Sequence, residues 1–102
     1  MLTSEAITGL RQYLMDRIAS ARFTVNGREE TVAIASKSIV SDGRISIAVI
    51  LNTVESAEEL ITDISLYDAD GIMLAWKEEH ITQEPSMGGI YYRFFFLIDE
   101  TV

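Results

Sequence analysis

The stretch IYYRFFFLI (residues 90–98) decides the fold, because all but one of its side chains are apolar or aromatic. Successive side chains of a β-strand point to opposite faces. One face of this strand would carry Ile90, Tyr92, Phe94, Phe96 and Ile98, and the other Tyr91, Arg93, Phe95 and Leu97. A strand that is apolar on both faces invites aggregation at a bare sheet edge. The stretch therefore predicts a strand that is either central and covered by a helix or buried by another subunit, with the second set as the candidate interface.

The opposite end of the chain has the period of a helix. Ile7, Leu10, Leu14 and Ile18 recur at steps of three and four residues, which places them on one stripe. This spacing predicts a helix over residues 3–22. Gly9 weakens a helix by about 1 kcal/mol relative to alanine. We therefore expect the helix to depend on docking against a sheet.

Turn signals divide the remainder into strands. The pairs Asn26–Gly27, Asp42–Gly43 and Asp70–Gly71 predict reverse turns between apolar, alternating segments. The segment 44–51 is apolar on both sides, which predicts a strand covered on both faces. Residues 80–89 contain the only proline and a glycine pair, and they predict a mobile loop.

The hairpin formed by residues 60–78 allows two registers. A two-residue loop would set Leu66 opposite Ala75 and Ile64 opposite Lys77. A three-residue loop, with Gly71 in the left-handed conformation, pairs Leu66 with Leu74 and Ile64 with Trp76. The second register joins apolar side chains to apolar side chains, so we predict the longer loop.

These patterns predict an α+β fold, with an N-terminal helix packed on a mostly antiparallel β-sheet or sandwich of about six strands. We predict a single domain over residues 1–102, with a helix over 3–22, a β-rich region over 23–102 and a mobile loop over 80–89. The candidate core residues are those on the predicted inward faces: Ile7, Leu10, Leu14, Ile18, Ile47, Val49, Ile64, Leu66, Leu74, Trp76, Tyr92, Phe94 and Phe96.

The charge of the chain narrows the classes of partner. Its 102 residues include 16 acidic and 8 basic side chains, for a net charge of −8. This charge repels phosphate backbones and anionic lipids, so we expect neither nucleic acid nor a membrane as partner. The N-terminus lacks a basic and apolar leader, which predicts synthesis and folding in the cytoplasm.

No set of residues predicts catalysis or a bound cofactor. The chain has no cysteine and one histidine, His80. Asp68, Asp70 and Glu79 resemble part of an EF-hand loop, but Gly71 stands at the fourth position where that loop needs its glycine at the sixth. We therefore predict a non-enzymatic protein without a metal or cofactor, and an ordinary exposed histidine.

Three segments resemble a known family. The hairpin ITDISLYDADGIMLA (residues 61–75), the helix LTSEAITGLRQYLM (residues 2–15) and the strand GRISIAVIL (residues 43–51) resemble phage tail-collar and tail-fibre attachment domains. The resemblance implies assembly through protein–protein contacts without an active site. No fibre shaft follows in the 102 residues, so we expect a small separate structural protein of a phage or prophage tail or neck.

Two functions follow as hypotheses. The first is a virion structural protein, which binds copies of itself as a homo-oligomer or binds other tail structural proteins. Its location would be the virion. The alternative is a small ligand-binding or accessory domain, in which Trp76, Tyr92 and Phe94 wall an apolar pocket under the helix.

Overall fold

The computed structural model describes residues 1–51, 58–83 and 90–98. One helix, α1 (Ser4–Arg17), is followed by six strands. The strands are β1 (Ser20–Val25), β2 (Arg28–Ile39), β3 (Ile45–Leu51), β4 (Glu59–Tyr67), β5 (Met73–Gln83) and β6 (Ile90–Phe96).

All six strands form one antiparallel sheet in the order β5-β4-β1-β2-β3-β6. The sheet curls until it is nearly a barrel. Its two edge strands lie close to each other, since the side chain of Tyr92 in β6 is within electrostatic range of Lys77 and Glu79 in β5. The predicted combination of an N-terminal helix and an antiparallel sheet is confirmed, and the sheet is a single curled layer.

The core lies on the concave, inner face of this sheet. Every described strand except β5 and β2 contributes buried apolar side chains to it. They are Ala21, Phe23, Val25, Ile45, Ile47, Val49, Leu51, Ile61, Ile64, Leu66 and Phe94, with Ile18 closing one end. Apolar positions alternate along β1, as expected when one face is buried and the other faces outward.

The helix differs from its predicted form. It ends at Arg17, because the backbone at Ile18 is extended and residues 20–22 already pair in β1. No residue of α1 is buried. Leu14 and Met15 pack against the core from the last turns, but Leu10 is 43% exposed. The prediction that Leu10 belongs to the core is therefore wrong, and the body of the helix is not docked on the sheet.

Polar contacts hold the helix at its C-terminal end. The Lys37 ammonium donates to the backbone oxygens of Met15 and Ile18, at 2.7 and 2.6 Å. A cation is favourable there, because the last carbonyls of a helix carry partial negative charge and lack partners within the helix. Arg17 donates to the Asp68 carboxylate in the loop between β4 and β5.

The helix also contacts the turn between β2 and β3, at Gly43. Gly43 has a φ of +88°, and a Cβ there would lie 2.7 Å from the Arg11 guanidinium. The Arg11 side chain of α1 therefore lies directly against the turn between β2 and β3.

The hairpin of β4 and β5 combines both predicted registers. The loop has three residues, since Asp68 N–H donates to the Ile72 carbonyl and Gly71 adopts φ +81°. A bulge follows, because Tyr67 pairs with Met73 while Leu66 pairs with Ala75. Leu74 is the extra residue, and it shifts the pairing by one position. Ile64 consequently faces Lys77, so the predicted pairs Leu66–Leu74 and Ile64–Trp76 are wrong.

The positions of β5 and β6 also differ from prediction. Residues 80–83 belong to β5 rather than to a loop, and residues 84–89 of the predicted loop lie outside the described residues. The strand β6 lies at an edge of the sheet, next to β3 alone. The expectation of a central strand covered by the helix is therefore wrong, and burial by another subunit stays a prediction.

Two matched substitutions test the limited docking of α1. We expect Ile18→Ala to reduce the free energy of unfolding by about 2–5 kcal/mol, because it leaves a cavity in the core. Leu10→Gln should change it by less than about 0.5 kcal/mol, since the side chain is exposed and both residues favour helix equally. Urea unfolding followed by circular dichroism measures both, and an equal loss in the two variants would contradict this description.

Candidate interaction surface

The outer side of β6, together with Ile50 of the neighbouring β3, carries a row of exposed apolar side chains. Side chains that pair across these strands point the same way, and Ile50 lies opposite Tyr91. We define the aromatic face as Ile50, Tyr91, Arg93, Phe95 and Leu97. Its apolar members are 47% to 60% exposed. These include three of the four candidate interface residues, and the fourth is Arg93 itself, which is also exposed.

Arg93 is fixed at the centre of the aromatic face. It lies opposite Ala48, and its guanidinium donates to the Ser46 hydroxyl at 2.7 Å and to the Tyr91 hydroxyl at 3.2 Å. The guanidinium carbon also lies 4.9 Å from the centre of the Tyr91 ring, within cation–π range. Within the described parts of the chain it makes no ion pair. Arg93 is thus an ordered cation beside an aromatic ring, with no carboxylate partner among the residues that the structure describes.

A second arginine covers the end of the same face. The Arg44 guanidinium lies 4.5 Å from the centre of the Phe95 ring, and it also pairs with Asp42 at 2.7 Å. The hydrogen bond from the Arg44 backbone N–H and the Arg44 side chain lower the pKa of Asp42 below its usual value. Asp42 and Gly43 thus lie in the predicted turn, where they position Arg44 over the aromatic face.

The outer side of β4 and β5 has the opposite charge. Asp63 pairs directly with Glu78, so two acidic residues occupy opposite positions on neighbouring strands, whose backbones lie roughly 5 Å apart. Like charges in this arrangement are destabilising. Trp76 lies on the same outer side, two residues from Glu78, and is 57% exposed. We define the acidic face as Asp63, Trp76 and Glu78. The prediction that Trp76 belongs to the core is wrong.

On the same outer side, the acidic face borders β1, and a further acidic residue, Glu29, follows on β2. Thr24 of β1 pairs with both Asp63 and Glu29, and its hydroxyl donates to the Asp63 carboxylate at 2.9 Å. Among the described residues, Glu29 makes an ion pair with Arg22, with a nitrogen–oxygen distance of 3.5 Å. No ion pair to Asp63 or Glu78 occurs in residues 1–51, 58–83 and 90–98.

The seam between β5 and β6 separates the two faces. On its inner side, Tyr92 packs edge-on against Phe94 with ring centres 5.2 Å apart. Burial and the Glu79 carboxylate raise the pKa of Tyr92, while Tyr92 and Glu79 raise the pKa of Lys77. The tyrosine hydroxyl has no hydrogen-bond partner among the described residues. The seam is closed by side chains, without backbone pairing between the two edge strands in the described sheet.

The other predicted core residues differ in how deeply they are buried. Ile18, Ile47, Val49, Ile64, Leu66 and Phe94 are buried. Leu14, Leu74, Tyr92 and Phe96 are partly buried against the core, and Ile7 is half-buried. Trp76 points outward whereas Tyr92 and Phe94 point inward, so these three side chains do not line one pocket. The described residues enclose no cavity.

The acidic residues of the β4–β5 loop have a structural role. The Asp68 carboxylate accepts from the backbone N–H groups of Asp70 and Ile72, at 3.0 and 2.9 Å, and from Arg17. These hydrogen bonds, that from Ile72 first, lower the pKa of Asp68. No group of three potential metal-binding side chains occurs in the described part of the chain, and His80 is exposed.

The remaining turn follows the sequence signal. Asn26 and Gly27 have φ values of +49° and +81°, and Val25 pairs with Arg28 across them. Positive φ at both central residues defines the two-residue turn that matches the twist of a hairpin. The Asn26 side chain also accepts from the Leu60 backbone N–H at 2.9 Å, which ties this turn to β4.

Comparison with known proteins identifies no relative, so a function has to be argued from the structure. No protein-family model matches the sequence, and no curated protein and no solved structure matches it either. None of the helices in the described residues has the length and apolar character needed to cross a membrane.

The lowered pKa of Asp68 predicts an acid-dependent loss of stability. A carboxyl group whose folded-state pKa lies below its unfolded value of 3.8 stabilises the fold above that value. This contribution is lost as the pH falls through the lower, folded-state pKa. We expect Asp68→Asn to lower Tm at neutral pH and to reduce the further decrease between about pH 5 and about pH 2.

The matched control is Asp70→Asn, which removes a charge from the exposed position two residues away. Thermal unfolding across the same pH range should show the wild-type acid dependence in this variant. If Asp68→Asn retained the full wild-type pH dependence, Asp68 would not be the group responsible.

Proposed function

We propose that this chain is a non-enzymatic structural protein of a phage or prophage tail or neck, which acts by assembly with other protein chains. The observation that carries the assembly part is the aromatic face, where four exposed apolar side chains lie around a fixed arginine. Tyrosine, phenylalanine and arginine are enriched at protein interfaces, and tyrosine and arginine are also enriched among the residues that dominate their binding energy.

The position of this face on an edge strand supports the same proposal. An exposed apolar edge is a hazard for a protein that works alone, and natural proteins usually shorten, charge or cover such strands. Here β6 has seven residues, with one charged side chain, Arg93. A partner chain would cover the aromatic face and remove this hazard.

The phage origin rests on the resemblance of the hairpin, helix and β3 segments to tail attachment domains. A helix followed by an antiparallel sheet is compatible with that resemblance but is shared by many unrelated proteins. The ligand-binding alternative has less support, because Trp76 is separated from Tyr92 and Phe94 by the sheet.

A substitution on the aromatic face tests assembly. We expect Phe95→Glu to abolish self-association or partner binding while the fold is kept, because this side chain is 47% exposed. Light scattering coupled to size-exclusion chromatography measures association, and circular dichroism checks the fold. Tyr13→Glu, on the exposed side of α1, is the matched control and should leave association unchanged. Equal association of wild type and Phe95→Glu would contradict a role for this face.

Particle composition tests the virion assignment. In the strain that encodes the chain, prophage induction should yield particles that contain it in a fixed ratio to a tail protein, by quantitative mass spectrometry. Terminase, portal and tail genes should flank its gene. Purified particles that lack the chain would contradict the virion assignment, whatever the chain does in isolation.

A further inference from the structure

We infer that the partner on the aromatic face is a second copy of this chain, and that Arg93 of one copy pairs with the Asp63 and Glu78 carboxylates of the other. This inference rests on the proposed role in assembly and adds the identity of the partner. It depends on the complementary charge and chemistry of the two faces.

Arg93 and the acidic face carry charges that have no ion-pair partner among the described residues. Arg93 is held in place by Ser46 and Tyr91 but has no carboxylate partner in the described ranges, although the chain carries 16 acidic residues. Asp63 and Glu78 carry like charges at directly paired positions, and neither makes an ion pair within the described ranges. A guanidinium placed between these carboxylates would give Arg93 an ion-pair partner and offset the repulsion between the two acidic residues, because charge-assisted hydrogen bonds to arginine are strong and directional.

Aromatic side chains lie beside both members of the proposed ion pair. Arg93 lies between Tyr91 and Phe95 on β6, and Glu78 lies beside the exposed Trp76 on β5. Contact between the faces would bury three aromatic rings around the ion pair. Exclusion of water by such rings strengthens a central pair, which is the arrangement of an interface hot spot.

The net charge of the chain limits how two copies can meet. Two copies with a charge of −8 repel each other overall, so random contact between them is unfavourable. The aromatic face carries Arg93 without an ion-pair partner in the described ranges, while Arg44, against the Phe95 ring, is paired with Asp42. Contact of the aromatic face of one copy with the acidic face of the other therefore brings opposite charges together. Two such contacts can form reciprocally in a dimer, or successively in a ring.

Charge reversal tests the pairing directly. Wild type should associate, with a mass at least twice the 11.4 kDa of one chain. We expect Arg93→Glu and Glu78→Arg each to weaken association by about tenfold or more, because each places like charges in contact. The double variant should recover most of the affinity. An equimolar mixture of the two single variants should also associate, since each supplies the charge that the other lacks.

Controls separate this inference from the proposed function. Asp16→Arg changes the net charge as Glu78→Arg does, but on an exposed helix position, and should not weaken association. Circular dichroism and Tm should confirm that each variant folds. Analytical ultracentrifugation over a dilution series at constant salt gives the dissociation constants.

Three results would overturn the inference. A wild-type chain that stays monomeric at high concentration excludes self-pairing, while its presence in particles would still support the proposed function. Association lost in Phe95→Glu but unchanged in Glu78→Arg would mean that the aromatic face binds some other surface. Failure of both the double variant and the mixture to recover association would mean that the two residues are not paired.

Discussion

The fold depends on one constraint: a single sheet must curl far enough to bury its own apolar face. No second sheet is present in the described residues, and α1 contributes no buried side chain. The core is therefore formed by the inner faces of strands that approach one another around the curl. Bulges allow this curvature, because an extra residue bends a strand and increases its twist. Such bulges occur in β2, β4 and β5.

Curling without full closure explains where the exposed apolar residues lie. Backbone pairing ends at β5 and β6, and between these strands only side chains such as Tyr92, Lys77 and Glu79 interact. The inner face of β6 is used by the core, since Phe94 is buried there. Its outer face has no layer above it. The two-sided apolar character of β6 thus reflects two different environments, an interior on one side and an exposed surface on the other.

The sequence predicted the elements better than their arrangement. Periodicity located the helix and the strands, and the turn residues Asn26, Gly27 and Gly71 were found because positive φ restricts the choice of residue. The bulge at Leu74 was missed, because apolar pairing favoured a regular ladder. Leu10 and Trp76 were misplaced because an amphipathic pattern states which side chains share a face, not whether another layer covers it. Lys37, which binds the helix carbonyls, left no local signal, since its partners lie about twenty residues earlier in the chain.

The candidate surface combines two demands that usually conflict. An edge strand needs protection from indiscriminate pairing, and an interface needs accessible apolar area. Arg93 serves both demands, because a charge in the middle of β6 discourages contact with another apolar edge, where it would be buried without a partner. The same charge favours a surface that offers carboxylates. The excess of acid over base in this chain makes such surfaces common, but Asp63 and Glu78 are set apart by their direct opposition and by the exposed Trp76 beside them. Selectivity would then come from the position of a single cation within an aromatic row, and affinity from the rings around it.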